Sequence, residues 1–187
     1  MTDRNNDWDK VLRVLYAEKR DQTRKKWKRI LPFDELLFDR WEKAKYMGAG
    51  KGASIYHNCY VYGNVSIGKS TWVGPFTLLD GSGGKLTIGD NCSISSGVQI
   101  YTHNTVRWAL SGGKAKFEMA STSVGNNCYL GPYAIVTMGV KIGNNCLIGA
   151  QTLVNKSIPA SSIVFGIPGR VVGKVKVSGK SVSLSYS

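Results

Sequence analysis

From Ile55 onward an aliphatic residue returns at every sixth position, usually with a glycine directly behind it. The series runs Ile55, Val61, Ile67, Val73 and Leu79, resumes at Ile88, Ile94 and Ile100, and resumes again at Val124, Leu130, Val136, Ile142, Ile148 and Val154. Strands alternate with a period of two and helices repeat every 3.6 residues, so neither template accounts for this spacing. It predicts short flat strands joined by tight turns, each unit burying one branched side chain, with the glycine allowing close backbone approach or a positive φ. One such coil cannot bury its apolar face alone. Stacked coils share a continuous core, so the chain reads as an all-β solenoid.

The first fifty residues follow another pattern. Trp8, Val11, Leu12, Leu15 and Tyr16 fall at helical spacing within residues 6–29, which end in the basic run Arg24-Lys25-Lys26-Trp27-Lys28-Arg29. Pro32 breaks that run, and residues 34–45 read as a second amphipathic helix with Leu36, Leu37 and Trp41 on one face. These helices are expected to cap the open end of the solenoid or to pack on a neighbouring subunit, because an uncapped coil exposes strand edges and core. The alternative is peripheral contact of the basic, Trp-bearing face with an anionic membrane. Either way Trp8, Trp27 and Trp41 read as packing or anchoring residues. After Val154 the hexads fail: Pro159 and Pro168 exclude the ladder, Val171 to Val175 reads as a short strand, and a Ser- and Lys-rich tail is expected to be mobile, an edge strand over residues 177–187 being the weaker reading. The expected division is a helical segment at 1–50, the solenoid at 51–175 and the tail at 176–187.

Two interruptions stand out in the repeat. Between Leu79 and Ile88 the spacing grows to nine through Asp80-Gly81-Ser82-Gly83-Gly84-Lys85, which reads as three residues inserted into a turn. Between Ile100 and Val124 the hexads give way to the polar stretch 101–123. A loop that long leaving a rigid scaffold usually carries function.

Seven pairs, Ile67-Gly68, Val73-Gly74, Ile88-Gly89, Val124-Gly125, Leu130-Gly131, Ile142-Gly143 and Ile148-Gly149, keep the two-residue core in register. In this the chain resembles the hexapeptide-repeat acyltransferases over about residues 52–175, and its helical start is most similar to the O-acetyltransferases of surface-polysaccharide biosynthesis. The resemblance implies a left-handed parallel β-helix with three hexads to each triangular coil, an extruded loop at 101–123, and a homotrimer with an active site in each cleft between subunits. It further implies acetyl-CoA as acyl donor and a hydroxyl or amine of a sugar or glycan as acceptor, in polysaccharide, lipopolysaccharide or glycolipid biosynthesis.

The chain has two histidines, His57 and His103. His103 stands at the mouth of the 101–123 loop, in the position where these acyltransferases carry their catalytic His, whereas His57 reads as a turn residue. Acyl transfer from a thioester needs a base near neutrality, and imidazole suits that demand. Its second nitrogen needs a partner; Asp80, Asn104 and Glu118 are the candidates, with Asp80 first because it opens the irregular turn. Gly166-Ile167-Pro168-Gly169-Arg170 resembles the family's closing motif, in which a basic residue meets a coenzyme A phosphate, although Gly169 replaces the usual Ala. The resemblance assigns Arg170 to that phosphate, Lys156 to a second charge, and Gly131, Thr137, Gly149 and Ala150 to the pantetheine groove, with Tyr129 where relatives often have Trp.

Charge and cysteine usage narrow the alternatives. The net charge of +13 invites a nucleic-acid reading, but 13 of the basic residues share residues 1–50 with 9 acidic ones, the rest are scattered, and no recognition motif accompanies them. Cys59, Cys92, Cys128 and Cys146 each lie two residues before a hexad's aliphatic position, which reads as reduced thiols in a repeated slot and not as a zinc site. No cysteine neighbours His103 to suggest an acyl-enzyme, so direct transfer is expected. No run of 18 apolar residues exists and the start is polar, so a cytoplasmic protein is expected. A longer acyl thioester and a non-enzymatic scaffold are the competing readings; the carbonic anhydrase branch needs three converging histidines where this chain has two.

Overall fold

The computed structural model describes residues 4–187, with side chains from Asp7 onward; residues 1–3 of the polar start lie outside it. Helices α1 (Arg4–Trp27), α2 (Phe33–Leu37) and α3 (Arg40–Tyr46) precede a three-sided solenoid. Its first coil holds β1 (Ser54–Ile55) and β2 (Tyr60–Ile67), and its second β3 (Trp72–Val73) and β4 (Leu78–Ile88). The third holds β5 (Ser93–Ile94) and β6 (Gln99–Ile100), then a loop of β7 (His103–Asn104), α4 (Val106–Leu110) and β8 (Glu118–Met119), then β9 (Thr122–Val124). The fourth is β10 (Tyr129–Leu130), β11 (Ile135–Val136) and β12 (Lys141–Ile142), and the fifth β13 (Leu147–Ile148) and β14 (Leu153–Val154). β15 (Ser162–Phe165) opens a sixth coil that folds back as a hairpin of β16 (Arg170–Ser178) and β17 (Ser181–Tyr186).

Parallel pairing sorts these strands onto three faces. β1, β3, β5, β10, β13 and β15 form the first. The opening halves of β2 and β4 join β6, β11 and β14 on the second, and their closing halves join β9 and β12 on the third, which Ile158 extends by one bridge to Ile142. Partners such as Leu130 and Ile148 are three hexads apart, so every hexad residue stacks on its equivalent one coil away. All the expected aliphatic positions are buried except Val61, which lies on the terminal coil and is half-buried. Leu86, outside the sixfold series, is fully buried as well.

The corner leading from the third face back to the first is built on left-handed asparagines: Asn91, Asn127 and Asn145 have φ of 54°, 57° and 57°. Asn tolerates that region because its short amide bonds locally. Side chains there also tie coil to coil: Asp90 N donates to Asn126 Oδ1 (2.8 Å) and Asn126 N to Asn144 Oδ1 (2.7 Å). A Cβ at Gly125 would collide with Asn144 Oδ1, which is why glycine follows the aliphatic residue. Cys92, Cys128 and Cys146 fill the next slot as free buried thiols, donating to the carbonyls of Gly125, Gly143 and Pro159 at 3.1, 3.1 and 3.3 Å.

The open end is closed by α3 and α2. Ala44 is buried against the first coil, and the Lys43 ammonium donates to the carbonyls of Tyr56 (3.1 Å), His57 (2.7 Å) and Cys59 (3.1 Å). Burial pulls the Lys43 pKa down, against the attraction of Cys59 and Glu35. Glu35 Oε1 accepts from Asn58 N at 3.0 Å, and Phe38 stacks on His57 with centroids 4.1 Å apart, so His57 is a packing residue.

Two expectations are corrected. The helix expected over 34–45 is two helices, because Phe38 and Asp39 are extended and the Asp39 carboxylate takes Trp41 N (2.8 Å) as an N-cap, which competes with helix continuation. The tail expected to be mobile is the hairpin β16–β17, paired from Gly173↔Tyr186 to Ser178↔Ser181. Trp8 is exposed, α1 meeting the body through its later turns, as where Tyr16 contacts Phe33 edge-on. No helix among the described residues is long and apolar enough to cross a membrane.

If the stacked hexads form one core, Ile148→Ala should cost ~2–5 kcal/mol and half-buried Val61→Ala distinctly less. Chemical denaturation measures both; equal losses would contradict the difference in burial between the two positions.

Candidate active site

The two interruptions of the repeat fall on the same corner, between the second and third faces, in adjacent coils. The Asp80 to Lys85 insertion is not a turn: β4 runs through it, with Gly63↔Gly81 and Val65↔Leu86 in register, so that Asn64 alone lies opposite residues 82–85. One coil on, the pairings Leu79↔Ile100 and Ile88↔Val124 fix both feet of the 101–123 loop. The bulge in one coil therefore lies directly beside the base of the loop in the next.

That stacking brings Asp80 to His103. Asp80 is 2% exposed. Its Oδ1 accepts from Ser82 N (2.9 Å) and, in a short contact, from Ser82 Oγ. Its Oδ2 accepts no well-aligned hydrogen bond and lies 2.6 Å from His103 Nδ1. Ser82 Oγ is also 3.4 Å from that nitrogen. Burial pushes the Asp80 carboxyl up, but the hydrogen bonds from Ser82 and the neighbouring His103 outweigh it and hold the group below the usual carboxylate range. Burial and the Asp80 charge push the Tyr101 phenol up; its hydroxyl donates to Gln99 Oε1 at 2.7 Å. With Nδ1 turned to a carboxylate, Nε2 is the nitrogen left to exchange a proton. The His103 side chain is 32% exposed, so a reactant can reach it.

Backbone and threonine contacts fix this geometry. Thr102 Oγ1 donates to Asp80 O (2.8 Å) and accepts from Gly83 N (3.0 Å), and Thr122 Oγ1 donates to Tyr101 O (2.7 Å). A Cβ on Gly83 would lie 2.5 Å from both His103 Cβ and Thr102 O, so only glycine lets the bulge approach the imidazole. Ser82, Gly83 and Thr102 are absent from the sequence-derived site; the Asp-Gly-Ser order, an Asx-turn pattern, is the signal that points to Ser82.

Asn104 turns away from this pair. Its amide donates to Glu118 Oε2 (3.2 Å) and accepts from Val106 N (2.7 Å), and Glu118 also pairs with Arg107 (3.1 Å). Asn104 and Glu118 thus join the two arms of the loop. Trp108 and Phe117 meet edge-on at 5.5 Å, and Leu110 stands 85% exposed at the tip.

The residues expected to hold coenzyme A divide between two edges of the prism. Thr137, whose N donates to Val154 O (3.0 Å), and Lys156 lie on the His103 edge in the fourth and fifth coils. Gly131, Gly149 and Ala150 lie on the edge between the first and second faces, where a Cβ on Gly131 would meet Ala150 N at 2.5 Å and the Phe165 ring covers Gly149. Arg170 opens β16 beside residues 166–169, which stack on Leu153 (Gly169 N to Leu153 O, 2.7 Å). Both Lys156 and Arg170 are exposed and neither makes an ion pair among the described residues. No cluster of metal-ligating side chains occurs among the described residues.

The family model for the bacterial transferase hexapeptide (six repeats) matches residues 121–156. Among solved structures, a hexapeptide-repeat acetyltransferase from Vibrio cholerae O1 biovar eltor, complexed with acetyl coenzyme A, superposes with a TM-score of 0.65 at 18% identity, over 90% of this chain and 89% of that one. Galactoside acetyltransferase in complex with coenzyme A gives 0.63 at 23% identity over 87% and 82%. A variant of AntD, an N-acyltransferase from Bacillus cereus, in complex with dTDP and coenzyme A gives 0.61 at 20% identity over 73% and 89%. Residues 121–156 thus carry the hexapeptide repeat, and the chain as a whole is a β-solenoid on the fold that these transferases share.

Proposed function

We propose that the chain transfers an acetyl group from acetyl-CoA to a hydroxyl or amine of a sugar acceptor, with His103 as general base and Asp80 as its positioning residue. The observation that carries this reading is the 2.6 Å contact between a buried carboxylate and the imidazole at the base of the loop. Relatives by fold were solved with acetyl coenzyme A, and others with sugar-related ligands, including dTDP-4-amino-4,6-dideoxyglucose on AntD. AntD was also solved with 3-hydroxybutyryl-CoA, which keeps a longer acyl donor as the second reading.

In this mechanism His103 Nε2 takes the proton of the acceptor group as that group attacks the thioester carbon, forming the new C–O or C–N bond. It then hands the proton to the departing thiolate as the C–S bond breaks. Asp80, held by Ser82, fixes the tautomer and balances the imidazolium. A donor touching both Lys156 and Arg170 would bridge two edges of the prism, which favours a homotrimer whose clefts join the His103 edge of one copy to the Arg170 edge of the next. The arginine fork suits a phosphate there.

Thiol release from acetyl-CoA, followed across free, nucleotide-linked and lipid-linked sugars, should depend on acceptor and fall ~10²–10⁴-fold in His103→Ala. Unchanged release in that variant would overturn the assignment. The Asp80 carboxyl, held below its ordinary value, adds stability above ~pH 4, where an unfolded carboxyl is ionised, and loses it as pH falls through the depressed folded value. Asp80→Asn should therefore be less stable than the parent above that pH, with the gap closing in acid. A gap that does not change with pH would contradict the coupling.

A further inference from the structure

A second assembly of charge lies at the opposite end of the chain from the hairpin, where the helical segment meets the first coil. Arg29 Nη1 and Arg40 Nη1 both point at one atom, the Tyr56 hydroxyl oxygen, at 3.5 and 3.1 Å. They line a recess of about 290 Å³, together with Lys19, Trp27 and Trp41. None of its lining residues belongs to the His103 corner.

Two guanidinium groups within hydrogen-bond reach of one neutral oxygen repel each other unless an anion answers them. None does so among the described residues: the ion pairs are Arg13–Asp9, Arg20–Asp21, His103–Asp80 and Arg107–Glu118. The two carboxylates of the recess each accept a backbone N–H through one oxygen, Glu35 Oε1 from Asn58 N (3.0 Å) and Asp39 Oδ1 from Trp41 N (2.8 Å), and neither lies within ion-pair distance of Arg29 or Arg40. Arg40 is also pre-organised, its guanidinium carbon lying 4.2 Å from the Trp41 ring centroid and 5.2 Å from that of Tyr56. An immobilised fork beside a second cation is the donor arrangement that planar or tetrahedral oxyanions fill best.

We infer that this recess binds the phosphate or diphosphate group of a small organic ligand, with Arg29 and Arg40 as its donors and the tryptophans as walls for the attached ring. Its volume lies just below the ~300–1,000 Å³ typical of ligand sites, which suits a small phosphorylated group and not a whole coenzyme A. The site is separate from the proposed acyl-transfer centre and does not depend on it. A soluble phosphate ester and a lipid headgroup present the same chemistry to these arginines.

The test is calorimetric titration of the full chain with inorganic pyrophosphate at low ionic strength, alongside Arg29→Gln and Arg40→Gln. Saturable binding, weakened ~10-fold or more in either variant and within about twofold of the parent in Lys25→Gln, is expected. Absence of saturable binding, an equal loss in Lys25→Gln, or loss in Arg170→Gln alone would overturn the site, the last by placing the anion at the proposed coenzyme A edge. Arg29 is exposed, so Arg29→Gln tests the site without disturbing the fold, and unchanged thermal unfolding verifies this. Co-sedimentation with vesicles containing phosphatidic acid separates the two sources: pelleting lost in Arg40→Gln assigns a lipid headgroup, and pyrophosphate binding without pelleting assigns a soluble ester.

Discussion

Everything in this protein depends on the in-register stacking of coils three hexads apart. Each backbone pair, from Trp72↔Ser93 to Leu147↔Ile163, locks a residue over its equivalent in the next coil, so a sequence position translates directly into a face or a corner. Parallel ladders buried on one side tolerate little slippage, because a one-residue shift would turn every branched side chain out of the core. The same rigidity lets the corners carry unlike chemistry without mutual disturbance. One corner, with Asn126, Asn144 and the thiols beneath them, spends its polar groups on holding coils together. Another gathers the extra residues, and there the polar groups are spent on an imidazole.

An insertion into a solenoid has only two outlets, a bulge that stays in the ladder or a loop that leaves it, and the chain uses both at one corner. The bulge in β4 costs a regular turn but buries Leu86 and points Asp80 inward, and the loop keeps its feet hydrogen-bonded through Thr102 and Thr122. A buried carboxylate is expensive unless it is answered. Ser82 donates to one oxygen and His103 lies 2.6 Å from the other, so the contacts that offset the burial of Asp80 also hold the imidazole in place. The helical segment works differently: it closes the first coil through Lys43 and Glu35 and leaves two arginines facing a recess.

The repeat was legible because its signal is local and periodic, with one branched residue and one glycine per unit. Val61 and Leu86 depart from the pattern for reasons that period alone does not encode: one sits on an end coil, the other was displaced by the insertion. The nearness of Asp80 and His103 was legible in part, since both interruptions follow the second hexad of a coil; the roles of Ser82 and Gly83 depend on how the bulge folds, which three inserted residues do not specify. Asn104, next to His103 in sequence, faces its own loop, a reminder that strand neighbours point to opposite sides. The hairpin β16–β17 was obscured because every residue of β17 is exposed and no burial pattern marks it.

The central claim is that coil stacking makes Asp80 the partner that fixes the tautomer of His103. Nitrogen-15 NMR of the imidazoles reads this directly, and with only two histidines in the chain the His57→Gln protein gives an unambiguous assignment. The account predicts neutral His103 protonated at Nδ1 with a free Nε2, and loss of that preference in Asp80→Asn. The same tautomer distribution with and without the carboxylate would contradict it.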